Sequence, residues 1–159
     1  MALRVALRTA LWLLLGGWVG SWGLFGLVVA PTAFQALPST EIAGTLVGPI
    51  LTSLHLYGVV AGIGLGALAA LLDRGTLRIA LPLVLAAACA YSQFGVSAEI
   101  AEIRDGAFGP AGSVGGASRW NALHRLSIGI YLAVAAGALA LVGLHAASDT
   151  PPEGGRDPS

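Results

Sequence analysis

The sequence predicts an all-α integral membrane protein, a four-helix bundle of up-down topology with both termini on the inner side. Three observations predict it. Of the 159 residues, 56% are hydrophobic and only 10% are charged, whereas a soluble domain has about 25% charged residues with which to cover its surface. Four stretches lack formal charge for long enough to cross a hydrocarbon layer of about 30 Å at about 1.5 Å per helical residue. The arginines, which are the only Lys/Arg residues in the chain, are divided unequally between alternate connections.

The first span is read at about 9–30. It follows Arg4 and Arg8 and so resembles a signal peptide. Its apolar region is longer than the usual 7–15 residues, and Pro31 follows the best small-residue exit, Val28-Val29-Ala30, so a retained helix is expected. The second stretch is free of charge from 42 to 72. Gly48 and Pro49 predict a bend that leaves the span proper at about 50–72. The third and fourth spans are read at 79–98 and 126–148. Residues 1–148 thus form one membrane domain. The Gly/Ala/Ser-rich stretch 105–118 is expected to be a loop, and 149–159 a disordered polar tail.

Orientation follows from the short connections. With the amino terminus inside, Arg4, Arg8, Arg74, Arg78 and Arg156 lie on the inner side, and Arg104, Arg119 and Arg125 on the outer side. Trp12 and Trp120 then fall at opposite interfaces. The expected location is a cell's inner (plasma) membrane, which the chain crosses several times. The net charge of zero offers no basis for nucleic-acid binding. The partner is the lipid bilayer.

Helices in lipid associate by close packing, so small residues mark contacts. Gly16, Gly20 and Gly23 fall within about 60° of one another on the first helix at about 100° per residue, and Trp18, Trp22 and Phe25 lie opposite. Gly58, Gly62 and Gly66, extended by Ala70, form a ladder on the second. Gly129, Ala133, Gly137 and Ala140 form a stripe on the fourth. A compact bundle explains these faces, and so does a homo-oligomer built through them.

Polar groups inside a span are costly, and each is a candidate site. His55 lies on the Gly62/Gly66 side of its helix. His124, Ser127 and Tyr131 share one face of the fourth helix, and Gln93, Ser97 and Arg104 form a stripe on the third, beside a second stripe of Ser92, Glu99 and Glu102. With the orientation above, these groups collect in the outer half of the membrane. The tentative ligand-binding set is therefore His55, Gln93, Ser97, Glu99, Arg104, His124, Ser127 and Tyr131. Each histidine also has a plain reading as a packed imidazole bonded across a helix contact. His145, near the inner end of the fourth helix, is expected to snorkel to water.

Specific chemistries find little support. Cys89 is the only cysteine, which excludes an intrachain disulfide and a Cys-based zinc site, and an apolar setting makes it a small core residue. No His-xxx-His or Glu-xx-His pair presents two metal ligands on one helix face. No phosphate loop, dinucleotide fingerprint or nucleophile elbow occurs. Neither a catalytic residue nor a metal or cofactor is assigned. A haem held between His55 and His124 on diagonal helices is the weaker alternative.

Two segments together carry a resemblance. One is VVAPTAFQALPSTEIAGTLVGPILTSLHLYG, with Ala30-Pro31, Phe34, Leu37-Pro38, Ala43-Gly44, Val47-Gly48 and Leu54. The other is EIAEIRDGAF followed by RWNALHRLSIGIY, with Ile103-Arg104, Trp120, Leu123, His124 and Ser127. From about Leu11 to Gly143 the chain resembles the transmembrane protein 205-like family, a four-helix membrane domain of unknown function. Arg125 stands where that family often has Gly. The resemblance implies the fold, a membrane location and an interest in His124 and Ser127, and no catalytic residues. The expected function is binding or movement of a small molecule or ion through the outer polar cluster. A structural or accessory subunit is the alternative, and a haem or redox protein a third reading.

Overall fold

Local chemistry decides where the chain stops being helical. Pro38 crowds the backbone before it, and Leu37 is accordingly extended (φ −92°, ψ 148°). Ser39 then opens the next helix, its hydroxyl accepting from the Ile42 N–H at 3.2 Å. At the far end of that helix Asp73 (φ 54°) and Gly75 (φ 86°) enter the left-handed region, which ends helices at the cost of a strained residue unless it is Gly or a short polar one.

These breaks leave four helices in the computed structural model, which describes residues 1–108 and 114–149. They are α1 (Ala2–Ala36), α2 (Thr40–Leu71), α3 (76–108) and α4 (Val114–Asp149). A π turn interrupts α1 at Phe25–Val29 and another interrupts α3 at Ser92–Ser97. All four helices are long and apolar enough to cross a membrane. Short links make neighbours antiparallel, and the packing closes into a ring of α1, α2, α3 and α4, with α4 returning to α1. Leu13, Leu27, Val60, Val84 and Leu132 are exposed around the outside. That surface suits lipid rather than water.

Two expected boundaries move. α2 runs unbroken through Gly48 and Pro49. Thr45 Oγ1 donates to the Ile42 carbonyl at 2.7 Å and Ser53 Oγ to that of Pro49 at 3.1 Å. Hydroxyls of this kind help a membrane helix tolerate proline by bonding local carbonyls. The stretch read as a loop at 105–118 is helical up to Phe108 and again from Val114, since alanines there favour helix and isolated glycines are tolerated. Its centre, 109–113, and the tail beyond Asp149 lie outside the described residues.

The glycine ladder of α2 packs as its spacing predicts. A Cβ on Gly58 would sit 2.7 Å from Cys89 Sγ, one on Gly62 2.5 Å from the Pro82 carbonyl oxygen, and one on Gly66 3.0 Å from Leu83 Cδ2. The α2–α3 contact is thus backbone against backbone at Gly62, while the side chains of Leu83 and of buried Cys89 seat against Gly66 and Gly58.

On α1 the expected face is reversed. Leu11, Leu15, Trp18, Trp22 and Phe25 are buried, and Gly16, Gly20 and Gly23 look onto open space. α1 stands off far enough for indoles to fill the gap, so area rather than closeness decides which face turns inward. α4 is rotated in the same sense. It buries Ser127, Val134, Ala138, Leu141 and His145, and of its predicted stripe Gly137 meets Leu85 while Gly129 is open.

Gly62→Ala is expected to lower bundle stability by about 1–3 kcal/mol, because the opposing atom is backbone and cannot turn aside. Gly16→Ala should leave stability unchanged or raise it by up to about 1 kcal/mol. Reversible unfolding in mixed micelles compares the two directly.

Candidate functional site at the centre of the bundle

Trp18, His55, Ser92 and Tyr131 each lie within one residue of the midpoint of their helix. Four antiparallel helices of similar length thereby bring their most polar or amphipathic central residues to one level. His55 is fully buried. Its ring meets Trp22 edge-on, with centroids 5.7 Å apart and planes at 70°. Trp22 in turn stacks on Tyr131 at 4.7 Å and 13°, and Phe25 tilts against the same tyrosine at 5.7 Å. The Gln93 amide of α3 faces the imidazole. The Gln93 side chain interacts with the ring, but neither His55 nitrogen makes a well-formed hydrogen bond to a described group.

The same condition extends around the centre. Trp18 Nε1, Trp22 Nε1, Ser92 Oγ and Gln93 Oε1 are buried without a hydrogen-bond partner among the described residues. A buried polar group left unpaired costs about 1–3 kcal/mol, so such a concentration at one level is unusual for a core that serves packing alone. The set comprises indole N–H donors, a serine hydroxyl, a glutamine oxygen and an imidazole that can donate at one nitrogen and accept at the other. It has no formal charge. Chemically it can hold a small polar species or hand a proton across the ring.

The π turns bound this level. In α1 the cause is visible: Tyr131 Oη donates to the Trp22 carbonyl and lies beside the Gly26 amide. A side-chain oxygen between those two groups replaces the i to i−4 bond they would otherwise share, which is a recognised origin of a helix irregularity. Gly26 permits the approach, since a Cβ there would sit 2.5 Å from the hydroxyl. About two turns of α1 earlier, Tyr57 Oη donates in the same way to the Leu14 carbonyl at 3.4 Å, opposite Gly17.

The residues singled out from sequence divide into two places. His55, Gln93 and Tyr131 meet around Trp22, at mid-length of the helices rather than toward the outer end. His124 is exposed, its ring stacked on Trp120 at 5.0 Å and 7°. Glu99 pairs with Arg119, whose Nε donates to it at 2.7 Å. Ser97 is half-buried on the α3 π turn and Ser127 is buried on α4. The side chain of Arg104 lies outside the described residues. The structure does not bring His55 and His124 to one site: α2 and α4 are diagonal, and one ring faces the core while the other is exposed.

Trp18, Trp22, Ser92 and Gly26 were not in the tentative ligand-binding set, although Ser92 belonged to the second polar stripe of its helix. Tryptophan in membrane helices gathers at interfaces, so two tryptophans halfway along a span were the available signal. His145 departs furthest from expectation. It is fully buried with both nitrogens unpaired, because α4 turns it inward beneath Arg74 instead of toward water.

The chain matches no protein-family model, no curated protein and no solved structure.

Gly26→Ala is expected to cost about 1–3 kcal/mol by driving a methyl into the Tyr131 hydroxyl. In a Tyr131→Phe background most of that cost should vanish. A double-mutant cycle by thermal unfolding should return a coupling of about 0.5–3 kcal/mol; additive effects would remove Tyr131 as the origin of the π turn.

Proposed function

We propose that this chain is a multi-pass protein of a cell's inner (plasma) membrane, oriented with both termini inside, that binds or conducts a small polar molecule or ion at the level of His55. The observation that carries the reading is the imidazole itself, fully buried at mid-span with both nitrogens unpaired. Ionisable groups at that depth mark ligand or proton pathways far more often than they serve as packing. Gln93 and Ser92 supply further acceptors and donors from the facing helix, and the two π turns provide backbone that can shift without breaking a whole helix. The resemblance to the transmembrane protein 205-like family is compatible with this reading and adds no activity to it.

A second reading, an accessory subunit, draws on a different observation: the open Gly16, Gly20 and Gly23 face of α1 is the kind of surface on which another helix packs. There the central polar groups would contribute only interhelical contacts, worth about 0.6 kcal/mol each on average.

The two readings part on His55→Gln, which keeps a polar side chain. Native mass spectrometry of the bundle released from its own membrane should show a small-molecule adduct, or proteoliposomes loaded with a pH dye should show proton flux above protein-free vesicles. Either signal should fall at least tenfold in His55→Gln and persist in His124→Ala, with membrane insertion unchanged in both. A parent protein with neither adduct nor flux would leave the accessory reading.

A further inference from the structure

The polar groups at mid-bundle are of mixed hydrogen-bonding kind. Trp18 Nε1 and Trp22 Nε1 can only donate, and Ser92 Oγ can donate or accept. The Gln93 oxygen can only accept, and a neutral imidazole at His55 offers one donor and one acceptor. All of these atoms are buried without a well-formed hydrogen bond to a described group. α1 thus presents donors, while α2 and α3 present acceptors as well. Trp18 Nε1 sits about one turn nearer the Arg74 end than His55, over Gly58, where a Cβ would lie 3.4 Å from it. Aromatic rings stand beside the imidazole: Trp22 meets it edge-on and stacks on Tyr131, against which Phe25 tilts.

The described ion pairs lie toward the two ends of the bundle. At one end Arg74 Nη2 meets Asp149 Oδ1 at 2.6 Å, and toward the other Arg119 Nε donates to Glu99 at 2.7 Å. Among the described residues no such charge stands at the level of His55. An ion brought there would lose its hydration without gaining a counter-charge. Toward the Arg74 end the interior is also dry. Leu11, Leu15, Leu65, Val134 and Leu141 are fully buried in that direction. From Trp18 to Leu11 this stretch is about 10 Å long at about 1.5 Å per residue. Among the described side chains that are buried there, none is polar before His145. An apolar constriction of this kind stops ions by excluding water. In the opposite direction polar groups continue: Ser127 is buried and Ser97 half-buried, each about one turn beyond the centre.

We infer that the level of His55 is a one-ended binding site for a small uncharged molecule with a hydrogen-bond donor beside an acceptor, of the carboxamide class, entered from the Glu99–Arg119 end. The inference rests on the reading of His55 as a ligand site and narrows it: the site holds its ligand and passes no ion across the membrane. A cation there would leave two indole donors unmatched. An anion would face the Gln93 oxygen and the imidazole lone pair. An uncharged amide matches both kinds of group, with its carbonyl to an indole N–H and its own N–H to Gln93 or His55. Its flat face also suits aromatic walls.

The test uses the full chain in phosphatidylcholine nanodiscs, with the indole N–H signals of its four tryptophans followed by NMR. Trp18→Phe and Trp22→Phe assign the two central signals, and Trp12 and Trp120 serve as references. Three probes of similar size are titrated at matched ionic strength: acetamide, ammonium, which only donates, and formate, which only accepts. Acetamide should move the Trp18 and Trp22 signals saturably, half-saturating at a concentration about tenfold below that of either ion. His55→Leu and Gln93→Leu should each raise that concentration about fivefold, with unmoved Trp12 and Trp120 signals showing that the variant is folded. Proteoliposomes should show proton and potassium flux no greater than protein-free vesicles. Ammonium or formate acting as strongly as acetamide, or ion flux that falls in His55→Gln, overturns the uncharged class and leaves His55 as a ligand site. Acetamide shifts that both leucine variants keep overturn the placement. Saturable shifts with none of the probes overturn the inference, and the adduct measurement above then decides the His55 reading by itself.

Discussion

Hydrocarbon offers no hydrogen-bond partner to a backbone group released from its helix, and the arrangement of this bundle follows from that constraint. Several carbonyls of the bundle take a hydrogen bond from the protein's own side chains. The Trp22 carbonyl is taken by Tyr131, Thr45 and Ser53 bond carbonyls on either side of Pro49, and Arg74 and Arg78 reach carbonyls near the end of α4. Tyr131 must point inward to perform this service, which accords with the rotation of α4 that the structure shows.

Against that background the unpaired atoms around His55 stand out. A fold that satisfies carbonyls so consistently leaves two indole N–H groups, a serine, a glutamine oxygen and an imidazole without partners at one level. The second such place is His145, at the charged end. The two differ in kind. The centre is uncharged and walled by aromatic rings, whereas the end is rich in guanidinium, so they suit different chemistries and can be perturbed separately.

The fold class was legible because composition and charge-free length are global properties that survive errors in any one element. The first span was read to about residue 30, whereas the helix continues to Ala36 and stops ahead of Pro38. The inward faces of α1 and α4 were not legible. In a membrane bundle both sides of a helix are apolar, and the contrast that reveals a buried face in a soluble protein disappears. Small residues then mislead wherever helices stand apart, as Gly16 and Gly20 do. The depth of His55 was missed for one reason: Pro49 was read as a break. With α2 beginning at Thr40 the midpoint moves back to His55. Gln93 and Tyr131 were picked out as polar members of an outer cluster, and Trp22, which contacts both His55 and Tyr131, was hidden by its apparent position on the lipid side.

α4 holds α1 at two points far apart along its length, by Tyr131 on the Trp22 carbonyl and by Asp149 on Trp12. α1 leaves the ribosome before α4. During synthesis, therefore, α1 waits in the bilayer without Tyr131 at its central turn and without a partner for the Trp12 indole until α4 arrives. The bundle closes late, and whatever shields α1 in the interval, whether lipid, insertion machinery or another chain's helix, touches the same surface that α4 later covers. Assembly is thus sensitive to α4 in a way that the short links between neighbouring helices do not suggest.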